Sequence, residues 1–254
     1  DDLKKEFTEI CEIAVERTKE RKLKDFQKKL ASLSFLDPAC GSGNFLTETY
    51  LSLRRLENEV LRVLSHGQIA FGDANWNPIQ VSLGQLYGIE INDFAVTVAK
   101  TALWIAESQM MKETEEIVLM HLEFLPLKSY TNIIEANALR INWGDVIPKQ
   151  KLNYIMGNPP FVGARLMEQG SIQKKEVQDI FGNIKDVQDL DYVTCWYKLA
   201  AQYIQNTNIQ ACFVSTNSIC QGSQVPILWN VLFNDYHIHI NFAYQTFTWD
   251  SESS

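Results

Sequence analysis

LSFLDPACGSGNF, residues 33–45, is the stretch on which the fold of this 254-residue chain turns. Its first four residues are a short, mostly apolar run. They lead into the turn formers of DPACGSG, and the run reads as a buried strand. Beyond the glycines, Leu46, Tyr50, Leu53, Val60 and Leu64 recur at helical spacing and give a long helix one apolar face. Strand, glycine-bearing turn and helix is the opening unit of a parallel α/β sheet. Gly41 and Gly43 let the backbone approach a ligand with no Cβ in the way. The G-x-G-x-x-G pattern of dinucleotide folds is left unfinished because position 46 is Leu. No G-K-[ST] follows, so a P-loop is excluded.

The same alternation continues outward. Residues 85–88 read as a strand leading to IEIND. There Asn92 or Asp93 can cap a helix that carries Phe94, Val98, Ala102 and Ile105. Residues 132–136 and 152–156 read as buried strands, the second ending in GNPPF. Tyr192, Trp196, Tyr203 and Ile204 mark a helix, and residues 209–214 a strand. Ile238, Ile240 and Phe242 alternate with His237, His239 and Asn241 as a half-buried strand would. Upstream, residues 1–30 read as one surface-packed helix with Phe7, Ile10, Cys11, Ala14 and Val15 at helical spacing. GDANWNP at 72–78 is a loop, and residues 112–131 carry no clear pattern. The expected fold is α/β: a mostly parallel sheet with helices on both faces. In such sheets ligands bind beyond the carboxyl ends of the strands. DPACGSG, GIEIND, ANALR, NPPF and STNS all fall at such ends.

The composition is that of an ordinary globular protein, 46% hydrophobic and 21% charged, which argues against disorder and coiled coil. No apolar run approaches the ~20 residues that cross a bilayer, and DDLKKEF is not a signal peptide, so a soluble, cytoplasmic location and no membrane partner are expected. A net charge of −8 denies the chain a surface-wide field for nucleic acid, so any such binding needs a local basic strip or a further domain. The five cysteines show neither C-x-x-C nor zinc-ligand spacing and are expected to be reduced and mostly buried. His237 and His239 have no companion ligand set, so no metal is expected.

Two groups of residues carry chemistry. Glu90, at the end of the second strand, can accept both ribose hydroxyls of an adenosine while Ile91 lies against the purine. The plainer alternative is a solvated acid before a helix. In Asn158-Pro159-Pro160-Phe161 two prolines fix the backbone, so the carbonyls of Asn158 and Pro159 are aimed, and Phe161 offers a flat face beside them. An aimed amide oxygen, an aimed carbonyl and an aromatic platform suit a planar ring bearing an exocyclic amine. An Asn-Pro turn before a loop is the structural alternative.

The order FLDPACGSGNF, YGIEINDFAVTVAKTALWIAE, NALRINWGDV, IMGNPPFVGAR and FVSTNSICQG resembles an N6-adenine DNA methyltransferase. More narrowly, it resembles the core of the MmeI-like single-chain type II restriction–modification enzymes, over residues 33–250. The resemblance implies a Rossmann-like class I methyltransferase fold, with a helical segment at 1–32 packed on a catalytic domain at 33–254. It implies S-adenosylmethionine as cofactor, held by Asp37, Pro38, Ala39, Gly41, Gly43, Asn44, Phe45, Glu90, Ile91, Asn137, Ala138 and Asn158, with Trp196 either flanking the cofactor or simply packing its helix. Where the family usually has an Asp against the cofactor's adenine amine, this chain has Asn137. Its amide oxygen can accept the same bond with less charge assistance.

The reaction so implied is methyl transfer to the N6 amine of an adenine in double-stranded DNA. Asn158, Pro159, Pro160 and Phe161 do the work, and Phe161 and Phe247 stack on the flipped base. Phe247 could equally be a core aromatic after a strand. No recognition domain fits between Gly43 and Asn158, so one is expected after residue 254, and these residues alone are expected to be inactive or weakly active. Three rivals stay open. They are a related Asn-Pro-Pro-aromatic methyltransferase acting on RNA or a protein glutamine, a nicotinamide oxidoreductase, which the unfinished glycine motif disfavours, and a module that binds without transfer.

Overall fold

In the computed structural model, residues 2–66, 78–119, 121–122 and 132–244 are described. The chain divides into two compact units, Asp1–Gly157 and Asn158–Ser254. In the first unit β1 (Phe35–Asp37), β2 (Leu86–Glu90), β3 (Asn132–Glu135) and β4 (Tyr154–Gly157) run parallel in the order β3-β2-β1-β4. Phe35 lies beside both Leu86 and Tyr154, and Glu90 beside Glu135. The strand ends that carry DPACGSG and IEIND are therefore side by side.

Helices α1 (Asp2–Cys11), α2 (Glu16–Ser32), α3 (Asn44–His66) and α4 (Asp93–Val118) share one core with the sheet. Leu46, Tyr50, Leu53, Val60 and Leu64 of α3 are all buried in it, together with Phe35, Leu86 and Ile133. Leu36, the next residue of β1, is also fully buried, as a parallel strand covered on both faces requires. Asn92 caps α4, its Oδ1 accepting from Ala95 N at 3.0 Å. The inward face of α4 is Val96, Ala99, Leu103, Ala106 and Met110, whereas Phe94 and Ile105 are exposed.

A polar cluster is embedded in this core. Glu57 pairs with Arg54, and its other oxygen accepts from Gln27 Nε2 and Gln80 N, both at 2.8 Å, and from Val81 N at 3.2 Å. The chain re-entering before β2 is thus tied to α2 and α3 from inside the core.

Three expectations need correction. The single N-terminal helix is two, because Ile13 N bonds back to Ile10 O and breaks the α-helical ladder. Ile13 then packs on the core while Val15 is exposed. Residues 237–244 form no strand, and Ile240 and Phe242 are exposed. His237 there has φ 51°, outside the range of a strand. Of the cysteines only Cys40 and Cys195 are buried; Cys212 and Cys220 are exposed.

In the second unit, α5 (Ile172–Phe181), α6 (Thr194–Tyr203), β5 (Gln210–Phe213) and α7 (Gln224–Asn230) follow the Asn158–Phe161 segment. Tyr192 joins α5 to α6, its hydroxyl donating to the buried Glu176 carboxylate at 2.5 Å and its ring meeting Trp196 edge-on. No described helix is long and apolar enough to cross a membrane.

Candidate active site

In the first unit the loop after β1 is built around two carboxylates. Asp37 is 1% exposed, its Oδ1 accepts from Ala39 N at 3.0 Å, and its Oδ2 has no partner among the described residues. Burial pushes its carboxyl up to about 7; the Ala39 N–H opposes the rise and the Glu90 carboxylate adds to it. Glu90 closes the loop, its Oε2 accepting from Gly41 N and its Oε1 from Asn92 N, both at 2.9 Å. A carboxylate has about four acceptor positions, so each oxygen keeps one for a ligand. Ile91, next to it, is 66% exposed. Cys40, a buried residue of the same loop, has its thiol pKa pushed up by burial and further by the Asp37 and Glu90 carboxylates.

Two glycines fix how closely the backbone approaches. A Cβ on Gly43, at φ +81°, would lie 2.9 Å from Ala99 Cβ of α4, so the loop rests directly on that helix. A Cβ on Gly157 would lie 2.6 Å from Asp37 Oδ1. The end of β4, immediately before Asn158, can pass Asp37 only as glycine. Gly41 has open space where its Cβ would be. Pro38 is buried and Ala39 half-buried in the loop. Asn44 and Phe45 begin α3, where the first backbone N–H groups have no intrahelical partner.

After β3, Asn137 Oδ1 accepts from Leu139 N at 2.9 Å, an Asx turn, so one acceptor position of this amide is spent on its own backbone. Ala138 is buried, and its carbonyl accepts from Trp143 Nε1 at 2.9 Å.

In the second unit, Asn158 Oδ1 is buried with no hydrogen-bond partner among the described residues. Pro159 is buried, Pro160 exposed, and Phe161 40% exposed. The following residues are clamped. Val162 O accepts from Tyr192 N at 2.9 Å and Ala164 N donates to Asp191 Oδ1 at 2.7 Å. Asp191 Oδ2 accepts from Ser218 Oγ at 2.6 Å and from Gln224 Nε2 at 2.7 Å. Gln224 returns its carbonyl to Asp191 N and gives a second N–H to Ser218 O. Since the Ser218 hydroxyl gives its proton to Asp191, Thr216 Oγ1 is the donor in the 2.6 Å contact between the two hydroxyls.

The sequence placed STNS at a strand end but missed Asp191 and Gln224. The only hint is an Asp just before the helix at 194. Trp196 is 5% exposed and packed against Tyr192. Phe247 lies outside the described residues.

Set beside known proteins, 90% of this chain is 44% identical to DNA methyltransferase A of Bacillus subtilis (strain 168), over 26% of that relative. A putative type II restriction enzyme and methyltransferase of Methanocaldococcus jannaschii is 29% identical over 54% of this chain and 11% of its own length. The solved structure of the Type IIL restriction–modification enzyme MmeI in complex with DNA covers all of this chain with a TM-score of 0.88 and 44% identity, over 33% of its length. The chain thus spans at most about a third of these relatives, and its α/β arrangement is the Rossmann-like one of the MmeI methyltransferase. Residues 13–254 match the family described as MmeI, DNA-methyltransferase domain, so this protein belongs to that family.

Proposed function

We propose that this chain is the catalytic core of a restriction–modification DNA methyltransferase that moves a methyl group from S-adenosylmethionine to the N6 amine of a flipped adenine. The observation that carries the reading is Asn158. A buried amide oxygen left without a partner among the described residues costs about 1–3 kcal/mol, and directly after the carboxyl end of β4 such an atom suits a ligand that satisfies it. An exocyclic amine donates two hydrogens, one for Asn158 Oδ1 and one for the Pro159 carbonyl.

The residues of the first unit fit the cofactor. The spare acceptor positions of Glu90 suit two ribose hydroxyls, and the exposed Ile91 suits a purine face. The unpaired Asp37 Oδ2 and the open space at Gly41 suit a polar group against the loop. Asn44, Phe45, Asn137 and Ala138 border the same strand ends. Bound there, S-adenosylmethionine supplies an electrophilic methyl group on a sulfonium.

The chain's own part is positioning. The adenine lone pair is delocalised into the ring. Bonds to Asn158 Oδ1 and Pro159 O localise it, with Pro160 keeping the backbone fixed. Phe161 stacks on the extruded ring, an interaction of about 1–3 kcal/mol, and Phe247 is a second stacking candidate. Double-stranded DNA is the partner, with sequence recognition lying outside these residues.

The test is to express the full encoded protein in a host free of N6-methyladenine and sequence the host DNA for that base. N6-methyladenine at one short site is expected. Methylation of RNA or of a protein glutamine, with none on DNA, overturns the reading.

A further inference from the structure

The turn that follows Phe161 is anchored at both ends, yet it presents two exposed side chains, Arg165 and Leu166. Leu166 N donates to Gly163 O at 2.9 Å and closes the turn. From behind, Ala164 N is held by Asp191, which is itself locked by Ser218 and Gln224. Met167, the next residue, is 4% exposed and pins the far end. Between these anchors Arg165 is exposed and Leu166 is 78% exposed. Among the described residues Arg165 makes no ion pair.

A single exposed leucine on a mobile loop is ordinary. Here the backbone beneath it is held by hydrogen bonds, and the exposed Leu166 stands five residues from Phe161. Extruding a base leaves a gap in the stack, and the base returns unless something fills it. Apolar side chains inserted at base steps do this in proteins that distort DNA. A chain of net charge −8 also needs local cations wherever it meets phosphate.

We infer that the Gly163–Leu166 turn is a duplex-facing wedge. Leu166 enters the stack beside the extruded adenine, Arg165 takes an adjoining phosphate, and Asp191 is the positioning residue that holds the turn rigid. This rests on the proposed action on a flipped base in DNA.

The experiment uses the full encoded protein and two forms of its target duplex. In one form the target adenine is paired; in the other it faces an abasic position and is already unpaired, so its extrusion costs less. Leu166→Ala is expected to slow transfer to the paired form about 10-fold or more and to act within about 3-fold of wild type on the abasic form. With 2-aminopurine at the target position, the fluorescence rise on wild-type binding should be lost in the variant. Arg165→Gln should weaken duplex binding and reduce the salt dependence by about one ion, with cofactor binding unchanged.

Equal rates for Leu166→Ala and wild type on the paired form overturn the wedge while leaving the methyltransferase reading intact. An equal loss on both forms also overturns it, because the leucine would then serve the fold. If the wild-type protein methylates neither form, the underlying reading falls and the wedge falls with it.

Discussion

Glu57 in α3 and Asp37 at the end of β1 are both sealed from solvent, and their surroundings treat them in opposite ways. Both oxygens of Glu57 are occupied, one by Arg54 and the other by Gln27 and two backbone N–H groups. Asp37 has one backbone N–H, an empty Oδ2 and a carboxyl pushed up to about 7. An unpaired atom alone does not separate scaffold from site, because Arg54 Nε and Asn58 Nδ2 in the Glu57 cluster also lack partners among the described residues. What separates them is place. The unpaired acceptors Asp37 Oδ2 and Asn158 Oδ1 stand just at or beyond the carboxyl ends of parallel strands, where α/β sheets bind ligands. The Glu57 cluster lies among helices, where a polar group can only hold the fold together.

The contrast is broken most directly at Glu57. Glu57→Ala leaves the Arg54 guanidinium buried without its counter-charge and frees the segment before β2. A loss of about 3–5 kcal/mol is expected, which for a domain of this size is a melting point lower by roughly 10 °C. Thermal unfolding followed by circular dichroism checks it. An unchanged melting temperature would mean that the cluster is not structural.

Asp37 should behave in the reverse sense. Its folded-state pKa stands above its unfolded value of 3.8, so the folded protein holds a proton that the unfolded chain has already released. Stability from this group is therefore undiminished below about pH 4, falls as pH rises to about 7, and stays reduced above that. The full penalty is on the order of 4 kcal/mol. Asp37→Asn removes the titration, so its melting point should gain on wild type between pH 4 and 7 and run parallel to it above. A difference curve that is flat with pH would show that Asp37 is ionised in the folded protein.

Asn158 should separate function from stability. Asn158→Ala is expected to cut methyl transfer in the full encoded protein by roughly 10²-fold or more, as the loss of an aimed polar group does elsewhere. Because the deleted oxygen has no partner among the described residues, the melting point should hold or rise slightly. Parallel loss of both would place Asn158 with Glu57 among the scaffold residues.

The residues that were legible in the sequence and those that were not follow the same division. Strand, glycine turn and helix are local events, and LSFLDPACGSGNF declared them through its apolar run, its glycines and the face of α3. Gly157 and Gly43 could be read as glycines but not as close approaches, since Asp37 and Ala99 meet them only through the sheet. The break between α1 and α2 carries no Gly or Pro and follows from where Ile10 and Ile13 pack. The alternation at 237–242 has the strand period, but no described strand pairs with it. Asp191 was invisible because its partners, Ala164 and Gln224, lie 27 and 33 residues away. Asn137 reads in the sequence as an amide offered to a ligand, whereas in the fold its Oδ1 accepts from Leu139 N.

Glu90 lies between the two extremes and gives the finest test of the contrast. Each of its oxygens takes one backbone N–H, enough to hold the Gly41 turn to the start of α4 and not enough to fill a carboxylate. If the remaining acceptor positions serve a ribose, Glu90→Ala should weaken S-adenosylmethionine binding by about 1.5–3 kcal/mol, the range for hydrogen bonds to a charged group. The two freed N–H groups sit on a half-exposed loop and can turn to water, so the stability cost should stay below the one at Glu57. Calorimetric titration of the folded variant measures the first effect and thermal unfolding the second. Unchanged affinity together with a melting point as low as that of Glu57→Ala would make Glu90 a brace for the loop. Lower affinity with a near-normal melting point would assign the carboxylate to the cofactor.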